Sequence, residues 1–301
     1  TTDVVQKEMY TFNDHGNRSI TLKPEGTSGA VRAFIEHKQY AEVQPTKYYY
    51  VTDCFRYEKP QSGRLRHFHQ FGVEVFGTPN MLADAEVIAI AHDFLTELGI
   101  KDLELRINSV GCPACRKKHR EALKAFLQPH YEELCGTCKT RFDKNPMRII
   151  DCKSEVCHEI VKDAPRMLEY LCDDCKAAFE EVQENLNALE IPFEVDPDIV
   201  RGLDYYTGTV FEVFDEAPEN NRAMFGGGRY DNLIGLFVKN AKVSGVGYGM
   251  GDVTLENFLY THNLVPAQFG RGIKVLVTRF DDVPYENYMT IVEKLRNAGI
   301  T

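Results

Sequence analysis

The stretch Tyr50 to Gly77, YVTDCFRYEKPQSGRLRHFHQFGVEVFG, is two strand-like runs joined by a polar turn. Strand side chains alternate between two faces. The first run therefore sets Tyr50, Thr52, Cys54, Arg56 and Glu58 on one side and Phe55 and Tyr57 on the other. In the second run Arg66, Phe68, Gln70, Gly72, Glu74 and Phe76 share a face, with Phe71, Val73 and Val75 opposite. Pro60 to Leu65, containing Gly63, suits a hairpin loop and puts Arg64 near its tip. Charged groups at strand centres are costly unless paired or solvated. A face offering Arg56, Glu58, Phe68, Gln70 and Glu74 thus suggests a ligand; a solvated face carrying salt bridges is the plainer alternative.

Outward from the hairpin, residues 1–110 alternate strand-like runs with the helical pattern MLADAEVIAIAHDFLTEL, closed by Gly99. Residues 111–190 hold two helix-like stretches, near Arg116 to Leu127 and Arg166 to Leu189, and read as an inserted, mostly helical, cysteine-rich module. Residues 191–265 return to strands, TGTVFEVF the clearest, and close with a helix from Val253 to His262. Residues 266–301 offer an apolar strand, IKVLVTR, and a helix from Tyr285 to Asn297, the start of a separate α/β domain. The whole reads as α+β, an antiparallel sheet flanked by helices. A chain that opens without Met and stops in an unfinished pattern reads as a fragment.

With 301 residues the chain can bury a sizeable core in more than one compact unit. Its net charge of −10 argues against binding nucleic acid through overall charge, although Lys and Arg gather at Arg56 to Arg66 and at Arg116 to Lys124. No apolar run approaches the ~20 residues of a membrane-spanning helix. The opening TTDVVQKEMYTF has neither secretory nor transit-peptide character, so the expected location is the cytoplasm.

Together with TLKPEGT at Thr21 to Thr27, the hairpin resembles motif 2 of the class II aminoacyl-tRNA synthetases in its histidyl form. The resemblance implies that Arg56 holds the ATP α-phosphate and the substrate carboxylate. It implies that Glu58 and Phe68 address adenine, that Arg64 reaches the terminal phosphates, and that Gln61 and Arg66 meet the tRNA acceptor end. Activation of an amino acid is in-line attack of a carboxylate on phosphorus, catalysed by positioning and electrostatics. Arginine suits that work, because its planar fork stays charged and binds phosphate or carboxylate through two donors.

The segment RGLDYYTGTVFE, Arg201 to Glu212, follows the turn-forming Asp196 and Pro197. It resembles the signature peptide of histidyl-tRNA synthetases, which implies that Arg201 is a second catalytic cation at the α-phosphate, where other class II enzymes place metal. An imidazole needs a donor at one nitrogen and an acceptor at the other, and Glu74 and Tyr206 could satisfy it. By the same resemblance Glu25, Thr27 and Gln70 hold the α-amino group, and Gly26 and Tyr205 line the pocket. For the two tyrosines, core packing is the alternative. MFGGGRYDNLIG, Met224 to Gly235, reads as three glycines opening a helix-like segment and resembles a second histidine-specific element.

One departure stands out. In GVGYGMGDVTLENF the glycines and helix of the third class II motif are present, but Thr254 occupies the position of the arginine that binds the γ-phosphate. Motif 1, and with it the dimer interface, is expected before Thr1.

Cys112 and Cys115, Cys135 and Cys138, and Cys172 and Cys175 form CxxC pairs; Cys152 and Cys157 are more widely spaced. These eight thiols could make two tetrahedral four-cysteine zinc sites, one site with thiols to spare, or remain reduced and unliganded. Their pairing is not readable from spacing. Cys54 reads as a small packed residue.

The resemblance implies an enzyme that joins L-histidine to the histidine tRNA through histidyl-adenylate, using ATP with Mg2+, and that is a homodimer at full length. Two other functions stay open: a regulatory paralogue of histidine biosynthesis that binds histidine without charging tRNA, and a metal-dependent nucleic-acid binder built on the cysteine module.

Overall fold

The structure, a computed structural model, describes residues 8–101, 103–203, 205–215, 217, 223–238, 241–265 and 273–300. The chain divides into two compact units, Thr1–His262 and Asn263–Thr301. The first unit is built on a seven-stranded sheet. Its strands are β3 (Thr46–Phe55), β4 (His67–Phe76), β5 (Leu103–Ser109), β6 (Glu194–Val195), β7 (Thr209–Asp215), β8 (Phe225–Arg229) and β9 (Gly245–Gly251). They run in the order β3-β4-β9-β8-β7-β5-β6. Each neighbouring pair is antiparallel except β5 and β6. A short hairpin of β1 (Thr11–Asn13) and β2 (Ser19–Thr21) stands apart from this sheet. The expected α+β class, an antiparallel sheet flanked by helices, is the fold observed.

Period-two alternation gives each face of the sheet its work. On one face Val73 and Val75 are buried, and Phe71 stacks on Phe94 of helix α2 (Leu82–Glu97). Arg229 on β8 pairs there with Asp84 of α2, both buried. The other face carries Phe76 and Val210 into a cluster with Val31 and Phe34 of α1 (Thr27–Glu36) and Leu233 and Ile234 of α7 (Leu233–Phe237).

Between β5 and β6 lies the cysteine module. It holds four α-helices rather than the two stretches expected: α3 (Pro113–Leu127), α4 (Gly136–Lys144), α5 (Glu155–Val161) and α6 (Asp173–Ala188). The short α4 and α5 have little apolar periodicity of their own, and their buried side chains include Cys138 and Cys157. Helix α6 starts at Asp173 rather than Arg166, because residues 167–170 form a 3-10 turn. The glycine run Gly226 to Gly228 lies within β8, and the helix begins only at Leu233. Helix α8 (Asp252–Thr261) leaves the end of β9 directly.

The second unit contains α9 (Tyr285–Asn297), as its periodicity predicts. IKVLVTR, expected as a strand, has no pairing among the described residues, and Ile273, Val275 and Leu276 are exposed. A strand needs a neighbour to satisfy its backbone, and the described part of this unit supplies none.

Candidate active site and cysteine centres

The sheet register sets out the floor of a cleft. Tyr50, Gly72, Gly249, Gly226 and Glu212 align across β3, β4, β9, β8 and β7. The next row on the same face is Tyr48, Glu74, Gly247, Gly228 and Val210. Glycine in mid-strand is normally a weakness. Here it makes room: a Cβ at Gly226 would lie 2.7 Å from Arg201 Nη1, and one at Gly247 would lie 1.8 Å from Glu74 Oε2. The glycines let long polar side chains lie down on the sheet.

Above this floor is a cleft of about 490 Å3. Glu25, Thr27, Arg56, Glu58, Arg64, Phe68, Gln70, Arg201, Tyr205 and Tyr206 all line it, joined by Glu212 and Thr254. Segments far apart in sequence therefore meet around one cleft. Glu74 does not line the cleft. It lies one row deeper, fully buried, with Tyr50 Oη donating to it at 3.0 Å and Tyr230 Oη donating to its other oxygen. Burial pushes its pKa up to about 8, and the phenol hydrogen bonds only partly offset this. Gly26 faces Tyr50, and Gln61 and Arg66 lie out on the hairpin loop.

Each cation is held differently. Arg56 Nε donates to the Pro24 carbonyl at 2.8 Å, and its guanidinium stands 5.2 Å from the Phe68 ring centre. Burial acts to lower the Arg201 pKa, but its ion pair with Glu212 and its neighbour Tyr206 together outweigh that cost and hold the guanidinium charged. Arg201 Nε is buried without a hydrogen-bond partner among the described residues. A buried, unmet donor on a charged group is costly, and an anion placed there would satisfy it. Arg64 pairs with Glu58 at 3.0 Å.

The amino end of α1 shapes another wall. Glu25 accepts from the amides of Thr27 at 2.8 Å and Ser28 at 2.9 Å, capping the helix as an acid in its positive end should. Gln70 Oε1 accepts from the Gly26 amide at 2.7 Å.

The hairpin loop is longer than Pro60 to Leu65, since regular pairing stops at Phe55 and His67. Gln61 and Arg64 bond to each other through both backbone groups, with Gly63 at φ +71° in the turn. Arg66 lies 4.3 Å over the Tyr57 ring.

The eight module cysteines gather into two quartets. Cys112, Cys115, Cys172 and Cys175 form the outer one, and Cys135, Cys138, Cys152 and Cys157 the inner, nested within it in sequence. Within each quartet the sulfurs lie within 4.8 Å of one another. Cys112 and Cys115 Sγ are 3.5 Å apart, and Cys135 and Cys152 Sγ are 3.9 Å apart. A disulfide spans about 2.0 Å, whereas tetrahedral zinc with bonds of about 2.3 Å sets sulfurs roughly 3.8 Å apart. Cys54, on β3, is buried with its thiol 3.9 Å from Gln70 Oε1 and belongs to neither quartet.

Residue reasoning passed over Glu212, Tyr50 and Tyr230 as functional groups. Glu212 closes the quoted RGLDYYTGTVFE, and strand alternation alone could have placed it beside Val210 on the ligand face.

Comparison with known proteins agrees with this geometry. The family model for histidyl-tRNA synthetase matches residues 1–252. The histidine–tRNA ligase of Clostridium perfringens is 57% identical over the whole chain, which covers 71% of that protein. The same enzyme of Caldanaerobacter subterraneus subsp. tengcongensis is 51% identical, over 99% of this chain and 71% of its own. Apo histidyl-tRNA synthetase from S. aureus superposes with a TM-score of 0.78 at 37% identity, covering 97% of this chain and 70% of that one. The match of the family model over most of the chain, with relatives at 51% and 57% identity and a shared fold, has one consequence: this chain belongs to the histidyl-tRNA synthetase family.

Proposed function

We propose that the cleft activates L-histidine with Arg56 and Arg201 as its two working cations. The overall activity is that of a histidine–tRNA ligase: histidine and ATP give histidyl-adenylate and pyrophosphate, and the histidyl group then passes to tRNA. The histidine carboxylate forms a bond to the α-phosphorus as the bond to the pyrophosphate oxygen breaks. Negative charge on the phosphoryl oxygens meets Arg56 and Arg201, whose side chains are mostly shielded from water. The convergence of Arg56 and Arg201 on one cleft, Arg201 with an Nε that no described residue meets, is the observation that supports this assignment. The regulatory reading is not favoured, since relatives at 51% and 57% identity are ligases.

In this proposal Glu25, Thr27 and Gln70 receive the α-amino group, with Gly26 and Tyr205 shaping the wall. Tyr206 recognises the imidazole from the cleft wall, and Glu74 supports that pocket from one row deeper through Tyr50 and Tyr230. Glu58 and Phe68 hold adenine, and Arg64 meets the terminal phosphates. Gln61 and Arg66, outside the cleft, face the acceptor end of tRNA. Magnesium belongs to the reaction as the partner of ATP. Glu58 and Glu212 are already paired to arginines, so the ion fits better as one carried by the triphosphate than as one caged by the chain. Zinc is assigned to each cysteine quartet, whose sulfur donors and spacing suit it. A full-length homodimer in the cytoplasm completes the reading.

Histidine-dependent exchange between ATP and pyrophosphate by the full-length protein tests the proposal. Exchange that fails while histidine still binds removes it.

A further inference from the structure

The outer quartet stands at the neck where the module leaves the catalytic sheet after β5, and it ties that exit to the start of α6, the helix that leads back towards β6. Gly111, just after β5, leads into Cys112 with φ +59°. A Cβ there would lie 2.8 Å from Cys115 Cβ and 2.9 Å from both Leu171 and Met167, so the backbone at this point has no slack. Cys172 closes the neck from the far side, and its amide donates to Cys115 Sγ at 3.1 Å across 57 residues of chain.

The same few residues reach the cleft. Arg116, next to Cys115, donates to the Tyr206 carbonyl at 2.8 Å. The Val110 amide donates to the Gly208 carbonyl at 2.8 Å, and the Gly208 amide donates back to the Gly111 carbonyl at 3.4 Å. Hydrogen bonds on both sides of the Cys112–Cys115 knuckle therefore hold the segment Tyr206 to Gly208, which brings Tyr206 to the cleft. The inner quartet has a different setting. Cys138 and Cys157 belong to the module's own apolar cluster, with Leu123, Leu134, Phe142 and Val161.

We infer that metal bound by Cys112, Cys115, Cys172 and Cys175 positions the Tyr206–Gly208 wall of the histidine pocket through Arg116 and Gly111, whereas the inner centre, whose Cys152 lies between the cleft residues Asp151 and Lys153, has no hydrogen bond to that segment among the described residues. This rests on zinc occupying the quartets and on Tyr206 contacting histidine. Four thiolates on one ion fix the knuckle and the start of α6 to a single point. Without the ion, the neck is held only by its hydrogen bonds and packing, and the pocket wall loosens. Arg116 is a positioning residue, and none of these groups takes part in the chemistry.

The test uses the full-length protein purified under reducing conditions. Two zinc ions per chain are expected, and a thiolate-to-metal charge-transfer band should appear on replacement by cobalt. Cys172→Ser should hold one ion and raise the histidine KM about tenfold, the scale typical of outer-shell defects at metal sites, with kcat and the ATP KM little changed. Cys138→Ser should also hold one ion and lower the melting temperature, with the histidine KM unmoved. Arg116→Ala should keep both ions and reproduce the rise in KM. A Cys172→Ser protein that loses one ion but keeps its histidine KM overturns the coupling and leaves the zinc assignment standing. Reduced wild-type protein without metal overturns both. Should Cys172→Ser fail to fold, chelation and zinc return on the wild type decide: a KM rise reversed by zinc supports the coupling, and an unmoved KM ends it. Normal exchange by a Tyr206→Phe protein with unaltered histidine binding would tell against Tyr206 as a histidine contact instead.

Discussion

Thr254 Oγ1 donates a hydrogen bond to the Gly63 carbonyl at 2.9 Å, tying the first turn of α8 to the tip of the loop between β3 and β4. Ser62 and Asn257 form a second link between the same elements. Where the resemblance would put an arginine for the γ-phosphate, this chain has a hydrogen-bonded latch on the loop that carries Arg64.

Removing the latch should therefore weaken ATP and spare histidine. In Thr254→Ala the ATP KM should rise about fivefold, the worth of one net hydrogen bond of roughly 1 kcal/mol, while the histidine KM stays put. Steady-state exchange with each substrate varied in turn checks this. Equal rises in both would mean that the loop serves the whole site.

Glu74 gives a pH signature. Its carboxyl holds its proton more tightly in the folded protein, up to about 8, than in the unfolded chain, near the ordinary value of 4.5. The resulting contribution is fully present below 4.5 and is lost as pH rises through about 8. Glu74→Gln removes this dependence. Unliganded Glu74→Gln should match the wild type near pH 5 and exceed it by about 1–3 kcal/mol at pH 8 to 9, a discounted fraction of the full linkage. Urea unfolding across that range measures it. A constant difference at every pH would contradict the buried, proton-holding Glu74.

Tyr50 and Tyr230 both donate to Glu74, so each phenol sets the orientation of the carboxyl. Tyr230→Phe should raise the histidine Kd about tenfold, roughly 1.4 kcal/mol and near the upper end for one net hydrogen bond, and leave ATP binding unchanged. Calorimetric titration with each ligand separates the two. No change for histidine would place Glu74 outside its recognition.

The fold was largely readable because its signals are local. The alternation of Tyr50 to Gly77 correctly put Gln70, Gly72 and Glu74 on one face, and the apolar period of Leu82 to Glu97 gave α2. What was not readable depends on partners distant in sequence. Gly226 to Gly228 looked like the start of a helix because the reason for the glycines, Arg201 and the neighbouring β9, lies elsewhere in the chain. The cysteine pairing was hidden for the same reason: spacing identifies knuckles, but only the fold shows that the first pair meets the last. Glu74 illustrates the limit for function. Its face was legible, but not its depth beneath Tyr50 and Tyr230.

The most direct test compares Arg201→Ala with the wild type in two measurements on the same full-length protein, histidine-dependent ATP–pyrophosphate exchange and histidine Kd. If Arg201 meets charge that develops at the α-phosphate, kcat for exchange should fall about 10²- to 10³-fold, the usual cost of removing such a group. The histidine Kd should change only a few-fold, and Arg201→Lys should recover little, because a point charge does not replace the planar fork. A fall in exchange matched by an equal loss of histidine affinity would contradict the account and leave Arg201 as a binding residue alone.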